Sequence, residues 1–426
     1  MEPQVIALIV FVGVYALLIW DKINRAVVSL LGASALILIG VLNQEAAVHG
    51  IDFNTIGLLL AMMAIVAISQ KTGMFQYLAI RAAKIAKGEP WRILVSLSIV
   101  TALLSALLDN VTTVLLTVPI TFLLVDELKL NPYPFLVAQI FASNIGGTAT
   151  LIGDPPNIMI GSAVGLAFMD FVVNLGVIIP AILAGFLIPM YFIYGKKMKV
   201  ADDLKRRIMA FNENEAITDK KLLVKCLIVL AITIGGFLLQ KPLHLEAATI
   251  GLFGAAVLML ITGDDLQHVM EKAEWTSIFF FVGLFIIVHS LVEVGLIGQL
   301  AQKTLEMTGG DMKVTGMTIL WVSAIASAFI DNIPFVASMI PLIKGLAPSM
   351  GGPDAIMPLW WALSLGACLG GNGTLIGASA NVVVAGMAHK NGHEISFVKF
   401  TLLAFPMMLI SIIISSVYMW FRYFAG

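Results

Sequence analysis

Two aspartates in long apolar runs are the side chains best suited to chemistry in this sequence. Asp109 and Asp331 each lie near the middle of such a run, and an asparagine follows each of them, Asn110 and Asn332. A charged side chain within a bilayer costs about 2.5 kcal/mol or more, so it indicates a functional site. Such carboxylates could exchange a proton or bind Na⁺, a hard cation that takes oxygen ligands. The alternative is structural, because each aspartate could cap the helix that follows it.

A second set of polar residues lies where helices are predicted to break. The segment from Asn144 to Asn157 reads Asn-Ile-Gly-Gly-Thr-Ala-Thr-Leu-Ile-Gly-Asp-Pro-Pro-Asn, and the apolar runs on either side are each too short to cross a bilayer. Glycine loosens a helix and proline ends it. Unwound backbone inside a membrane is tolerated only where it is buried in protein or lines a polar cavity. A broken helix therefore indicates a binding site, with free amides for an anion and free carbonyls for a cation.

The predicted site combines both sets of residues. The residues predicted to carry the coupling proton or ion are Asp109, Asn110, Asp331, Asn332 and Asp154. For Asp154 the sequence leaves open whether it couples or caps the second half-helix. The residues predicted to bind the solute are Asn144, Gly146, Gly147, Thr148, Thr150, Asn157, Gly371, Asn372, Thr374 and Asn381. The alternative for the polar members of this second set is hydrogen bonding between helices.

The composition implies a bilayer around these elements. The chain has 426 residues, of which 59% are hydrophobic and only 12% are charged, whereas a soluble domain has roughly 25% charged residues. This predicts an all-α polytopic membrane protein. The net charge of -1 gives no indication of nucleic-acid binding. The two cysteines have no metal-ligand spacing and no nucleophile lies beside a base, so we expect no metal site, no cofactor and no enzyme activity.

The second half of the chain repeats the first. At an offset of 222 residues Asp331 falls on Asp109, and at an offset of 224 residues Gly370 falls on Gly146. Each repeat is predicted to contain five spanning segments, one of them broken, and one re-entrant hairpin. Because five is odd, the second repeat has inverted topology, an architecture typical of secondary transporters.

The domain boundaries follow from this repeat. The first repeat is predicted at 1–194, with a hairpin at 91–125 and a broken helix at 132–167. A linker loop at 195–221 follows. The second repeat is predicted at 222–426, with a hairpin at 315–348 and a broken helix at 355–389. Basic residues follow the first and third apolar runs. The positive-inside rule therefore predicts that these loops are cytoplasmic and that both chain termini lie outside.

These motifs resemble those of the ion transporter superfamily. Leu108-Asp109-Asn110-Val111-Thr112-Thr113-Val114 with Pro119, and Gly153-Asp154-Pro155-Pro156-Asn157, are similar to the arsenite-permease branch that includes the melanosomal P protein. Asp331-Asn332-Ile333-Pro334 also looks like the NhaD-type sodium/proton antiporters. The resemblance implies an elevator-type carrier, often dimeric, in which a transport domain bearing the hairpins and broken helices slides against a scaffold.

The resemblance and the residues together imply a secondary active transporter of the plasma or inner membrane. We expect it to move a small inorganic ion, oxyanion or other solute, as in arsenite efflux, coupled to protons. Two alternatives stay open: Na⁺/H⁺ antiport through the same carboxylates, and an anion-conductive, channel-like protein or Na⁺-coupled anion carrier. The expected partners are the solute, the lipid bilayer and a second copy of the chain. A nucleotide-powered pump would need a partner ATPase, because no Gly-x-x-x-x-Gly-Lys-Ser/Thr motif is present, but nothing in the chain requires one.

Overall fold

The fold is built from helices throughout the residues that the computed structural model describes, 2–20 and 22–425. Helices are expected of such apolar sequence, because every backbone N–H and C=O in lipid must be paired within the protein. Eight of the helices in this range are long and apolar enough to cross a membrane, or nine if one bent pair counts as a single span. The predicted all-α, multi-pass membrane class is confirmed.

The longer helices are distributed over both halves of the chain. In the first half, apart from the hairpin and the broken helix, they are Pro3–Trp20, Arg25–Leu38, Phe53–Gln70, Met74–Ile85 and Ile179–Ile193. In the second half they are Lys220–Leu238, Ala247–Thr262, Trp275–Glu293, Leu296–Thr308 and Phe397–Met419. Shorter helices lie at Gln44–His49, Phe168–Phe171, Asp202–Ala210, Gln240–Leu243 and Leu266–Met270.

Four helix pairs form the centre of the molecule. Hairpin 1 consists of Pro90–Leu107 and Asn110–Glu127, and hairpin 2 of Met312–Phe329 and Asn332–Leu346. Broken helix 1 consists of Tyr133–Gly147 and Pro155–Val164, and broken helix 2 of Met357–Gly370 and Ser379–Lys390. The second arm of each hairpin and the second half of each broken helix all begin at the middle of the molecule, so four helix N-termini point to one region.

The sequence repeat is also a structural repeat. The hydroxyls of Thr150 and Thr374 each donate to a backbone carbonyl in the first arm of the hairpin of their own repeat. The side-chain amides of Asn157 and Asn381 each donate to the carbonyl of that threonine, at 2.9 Å in both repeats. Equivalent residues therefore make equivalent bonds in the two halves.

The helices divide into two packing groups. The central group contains the hairpins, the broken helices, Ile179–Ile193 and Phe397–Met419, which pack mainly against one another. The peripheral group contains Pro3–Trp20, Arg25–Leu38, Phe53–Gln70, Lys220–Leu238, Ala247–Thr262 and Trp275–Glu293. Every residue of Tyr133–Gly147 after Tyr133 is buried, whereas Pro3–Trp20 buries only four residues. The first half of broken helix 1 is thus enclosed, whereas Pro3–Trp20 presents most of its apolar side chains outward.

The predicted linker is held against the helix Met74–Ile85. The Glu213 carboxylate accepts a hydrogen bond from Lys84 and another from Arg81, the latter at 2.8 Å. The Lys84 ammonium, a backbone hydrogen bond and the Arg81 guanidinium together lower the pKa of Glu213 to about 2. Because this pKa is lowered in the folded protein, the stabilisation is present at neutral pH and is lost as the pH falls through about 2.

Two equivalent glycines allow each broken helix to touch its hairpin. A methyl group on Gly146 would lie 2.2 Å from the Ala102 carbonyl oxygen, and one on Gly370 would lie 2.4 Å from the Ala324 carbonyl oxygen. Rigid backbone cannot yield to this overlap, so we expect Gly146→Ala and Gly370→Ala each to cost about 3 kcal/mol or more and to lose folded protein. The measurement is the monodisperse yield and the melting temperature in detergent.

Gly386→Ala is the matched control for this prediction. Gly386 lies inside Ser379–Lys390, and nothing approaches within 4 Å of the added methyl group. Alanine there should stabilise the helix by about 0.5–1 kcal/mol, because it restricts the unfolded backbone. If Gly146→Ala behaved like Gly386→Ala, the tight contact between broken helix 1 and hairpin 1 would be wrong.

Candidate functional site

The tip of hairpin 1 carries Asp109 and Asn110. The Asp109 carboxylate accepts a hydrogen bond from the Thr112 backbone N–H at 2.8 Å and a second from the Thr112 hydroxyl. Asn110 Nδ2 donates to Asn144 Oδ1 at 3.1 Å and so joins the tip to broken helix 1. The capping role that the sequence left open is therefore observed for Asp109. Capping does not exclude a role in binding a proton or an ion, because the same carboxylate also lines the cavity described below.

The tip of hairpin 2 is anchored to the peripheral group by an ion pair. Asp331 caps the second arm through the Ile333 backbone N–H, at 3.1 Å. Its other carboxylate oxygen accepts hydrogen bonds from Arg25 Nη1 at 2.5 Å and from Ser379 Oγ at 2.9 Å. Among the described residues, Asp331 therefore has a cation beside it and Asp109 does not. The two repeats, alike in sequence here, differ in charge.

Asp154 occupies the cap position of Pro155–Val164, but its side chain accepts no capping hydrogen bond. The reason is local, because Pro155 and Pro156 have no backbone N–H to donate. Instead, both carboxylate oxygens accept from the side-chain amide of Asn332 at the tip of hairpin 2, at 3.2 and 3.3 Å. Asp154 is fully buried. A buried carboxylate without a cation among these partners is costly, which favours a functional role for it.

The asparagines of the unwound segments bind one another across the two repeats. Asn144 Nδ2 donates to Asn372 Oδ1 at 3.0 Å and to Asn381 Oδ1 at 2.9 Å. The side-chain oxygen of Asn157 accepts from the Ser364 hydroxyl at 2.5 Å. The side-chain amide nitrogen of Asn372 is buried and has no hydrogen-bond acceptor within residues 2–20 and 22–425. Hydrogen bonding between helices, the alternative that the sequence left open, is therefore what these side chains do in this conformation.

The threonines and glycines predicted to bind the solute also lie within the packed backbone. The hydroxyl of Thr148 donates to the Asn144 carbonyl at 2.7 Å, in the same way that Thr150 and Thr374 bond to carbonyls of the hairpins. A methyl group on Gly147 would lie 2.5 Å from the Gly153 carbonyl oxygen, and one on Gly371 would lie 3.0 Å from that of Gly377. These residues shape the breaks in the two helices.

A cavity of about 20 Å³ lies where the tips and breaks meet. It can hold about one water molecule, since a water needs roughly 10–15 Å³ of such space. The residues that line it are Leu59, Met63, Asp109, Asn110, Val111, Asp154, Pro155, Glu274, Ser277, Phe281, Asn332, Ile333 and Ser379. Four of the five predicted coupling residues are among them. The fifth, Asp331, touches the lining through Ser379.

Sequence reasoning missed several residues at this site. Glu274, Ser277 and Ser379 line the cavity, and Arg25 reaches Asp331 from the neighbouring helix. By sequence, Arg25 is one of the basic residues after the first apolar run that the positive-inside rule uses, and Glu274 is one of four acids in the loop 263–275. One signal was present, because at the repeat offset of 222 residues Glu274 falls on another acid, Asp52.

The charges around the cavity are of two kinds. Five helices start at residues that line it or directly follow a lining residue: Asn110, Pro155, Trp275, Asn332 and Ser379. A helix N-terminus carries a partial positive charge, which suits an anion. Against these stand the carboxylates of Asp109, Asp154 and Glu274, and none of the described lining residues is cationic. Such a site can change its net charge by taking up protons.

Comparisons with known proteins agree with a transporter. The sequence model of the citrate transporter family CitMHS matches residues 15–366. An uncharacterized transporter of Mycobacterium tuberculosis is 43% identical over 99% of both chains. The human P protein is 34% identical over 98% of this chain, which spans 60% of the P protein. The resemblance to the P protein branch is thereby confirmed.

One solved structure has the same overall fold. The YdaH transporter of Alcanivorax borkumensis, described as having an unusual topology, superposes with a TM-score of 0.56 over the full length of both chains. At 15% sequence identity this similarity concerns the fold alone.

Proposed function

Because this chain belongs to the CitMHS family of citrate transporters, in the ion transporter superfamily, we propose that it is a secondary transporter that couples protons to a small oxyanion. One observation carries the proposal: five helix N-termini and three carboxylates surround a single small cavity. The carboxylate solute named by the family is an anion of this class. Arsenite is largely uncharged at pH 7 and belongs to the class only in its deprotonated form. No enzyme cofactor is involved.

The charges of the site give a reason for coupling. A helix N-terminus is equivalent to about +0.5 charge, so the five together supply roughly +2.5. Asp109, Asp154 and Glu274, all ionised, approximately cancel this charge. Protonation of two of them leaves the site positive by more than one charge, and an anion is then attracted. Protons and anion would therefore bind together, and the proton gradient would determine the direction of transport.

The two packing groups support an elevator mechanism. All the helices that carry Asp109, Asp154 and Asn332 belong to the central group, whereas Glu274 and Arg25 belong to the peripheral group. A cleft of about 430 Å³, lined by Asp52, His289 and Lys344 among others, separates the groups elsewhere. The cavity at the site holds only one water, so solute access requires the groups to separate. We propose that the central group moves past the peripheral one, and the positive-inside rule supports a cytoplasmic position for the Arg25 end.

Na⁺/H⁺ antiport is the second candidate. The observation that favours it is the size of the cavity together with its oxygen ligands, since carboxylates, amides and hydroxyls converge on a space for one small occupant. Hard cations prefer such ligands. In that case Na⁺ and protons would compete for Asp109 and Asp154, and no anion would be carried.

Transport by the purified protein in liposomes separates these functions. With an acidic outside buffer, we expect labelled citrate or arsenite to accumulate inside, with a protonophore abolishing accumulation and Na⁺ leaving it unchanged. Empty liposomes are the control. Discharge of the pH gradient on addition of Na⁺ alone would transfer the assignment to antiport. An anion current with no accompanying proton movement would indicate a channel and overturn both transporter proposals.

A further inference from the structure

The carboxylate of Glu274 has a position that capping does not explain. Glu274 directly precedes the helix Trp275–Glu293 but makes no capping hydrogen bond to it. The equivalent residue of the first repeat, Asp52, does cap its helix, accepting from the backbone N–H groups of Asn54 and Thr55 at 3.1 Å each. At equivalent positions of the two repeats, Asp52 is thus a structural cap, whereas Glu274 faces the cavity.

The carboxylates of the cavity differ in their access to solvent. Glu274 is exposed, whereas Asp109 is 6% exposed and Asp154 is not exposed at all. Glu274 is therefore the one acid among the described lining residues that contacts both the solution and the cavity. A proton could therefore reach Asp109 or Asp154 from this end of the molecule by way of Glu274.

The charges that face Glu274 come from three elements. Arg25, at the start of Arg25–Leu38, attracts its carboxylate, while Asp109 and Asp331, at the two hairpin tips, repel it. Asp154 of broken helix 1 lies across the same cavity. Glu274 therefore senses the charge of both hairpin tips without belonging to either hairpin.

We propose that Glu274 is the residue that exchanges protons between the aqueous phase and the buried carboxylates of the transport site. The inference rests on the proposed proton-coupled function. Protonated Glu274 transfers its proton to the carboxylate of Asp109 or Asp154, directly or through the one water molecule that the cavity can hold. Glu274 becomes a carboxylate and takes a new proton from solution, so charge and protons balance.

The location of Glu274 in the peripheral group makes this exchange dependent on conformation. The helix Trp275–Glu293 packs against Arg25–Leu38 and Pro3–Trp20, while Asp109 and Asp154 belong to the central group. If the central group moves in transport, Asp109 and Asp154 leave Glu274 behind. Protons would then be exchanged through Glu274 at one side of the membrane only.

Glu274→Gln tests this role, because glutamine keeps the size and polarity but cannot release a proton. In liposomes with labelled citrate and arsenite as probes, we expect pH-gradient-driven accumulation to fall by about 100-fold, the lower end of the range for a proton-transfer group. Exchange of labelled for unlabelled probe at equal pH on both sides should be retained, since it requires no net proton release. Glu274→Asp should restore most of the accumulation.

Glu271→Gln is the matched control, an exposed glutamate of the same loop that does not line the cavity, and it should behave like the native protein. Accumulation by Glu274→Gln equal to the native rate would overturn the proposed role of Glu274 alone. Loss of both exchange and accumulation would assign Glu274 to binding or folding and also overturn it. If the native protein accumulates neither probe, the proposed function fails first, and the inference fails with it.

Discussion

Asp109→Asn is expected to abolish transport driven by a pH gradient while leaving the protein folded. Asparagine caps a helix as well as aspartate does, so the bond to the Thr112 backbone N–H at 2.8 Å can persist. The titratable group of hairpin 1 is lost, and the cavity can no longer change its charge there. We expect the initial rate of citrate or arsenite accumulation to fall by about 100-fold or more, the usual range for removing a positioned proton-transfer group.

The control for this substitution is Asp311→Asn. Asp311 caps Met312–Phe329 through the Val314 backbone N–H at 2.9 Å, but it is exposed and remote from the cavity. It therefore repeats the chemical change at a capping site without touching the transport site, and its accumulation rate should stay at the native level. Native-like, protonophore-sensitive accumulation by Asp109→Asn would remove Asp109 from the coupling mechanism, because the folding role alone would then account for it.

The sequence predicts the elements of the site because their signals are local. Glycine and proline mark both helix breaks, and the repeat offset marks both hairpin tips, so the amino-acid sequence alone identifies Asp109, Asn110 and Asn332 as candidates for the site whose cavity they line. The hydrogen-bond partners of the neutral polar residues, in contrast, depend on contacts between distant parts of the chain. Sequence shows that Asn144 and Asn381 are polar in apolar surroundings, but not whether the partner of each amide is a solute or another amide.

Arg25 and Glu274 could not be assigned to the site from sequence because their roles depend on how distant helices pack. Arg25 is separated from Asp331 by 306 residues, and a single arginine at a helix start satisfies the charge rule without further explanation. Glu274 lies at the end of a loop that contains several other acids, so the sequence does not distinguish it from them. The two residues also break the symmetry of the repeats: at the same offset Arg25 falls on Ala247, so only one hairpin tip faces a guanidinium. A repeat predicts what the two halves share, and Arg25 has no counterpart in the other half.

The ion pair between Arg25 and Asp331 should contribute strongly to the stability of this conformation, and the two single substitutions should not be equivalent. The carboxylate of Asp331 is 8% exposed and the Arg25 side chain 19%. Arg25→Gln leaves a buried carboxylate without its cation, which costs about 3 kcal/mol or more. Asp331→Asn leaves a guanidinium that is better hydrated and still contacts Ser379 at 3.3 Å, so the loss should be smaller.

Melting temperatures in detergent of the two single variants and of the double variant Arg25→Gln/Asp331→Asn complete a mutant cycle. We expect the double variant to be more stable than Arg25→Gln alone, because removing both charges leaves neither unpaired. Additive losses would mean that the pair contributes nothing to stability. The cycle also bears on transport, since this pair joins the central group to the peripheral group and must open if the central group moves. A variant that keeps its fold without the pair should occupy this conformation less, which cysteine cross-linking between hairpin 2 and Arg25–Leu38 would detect as slower disulfide formation.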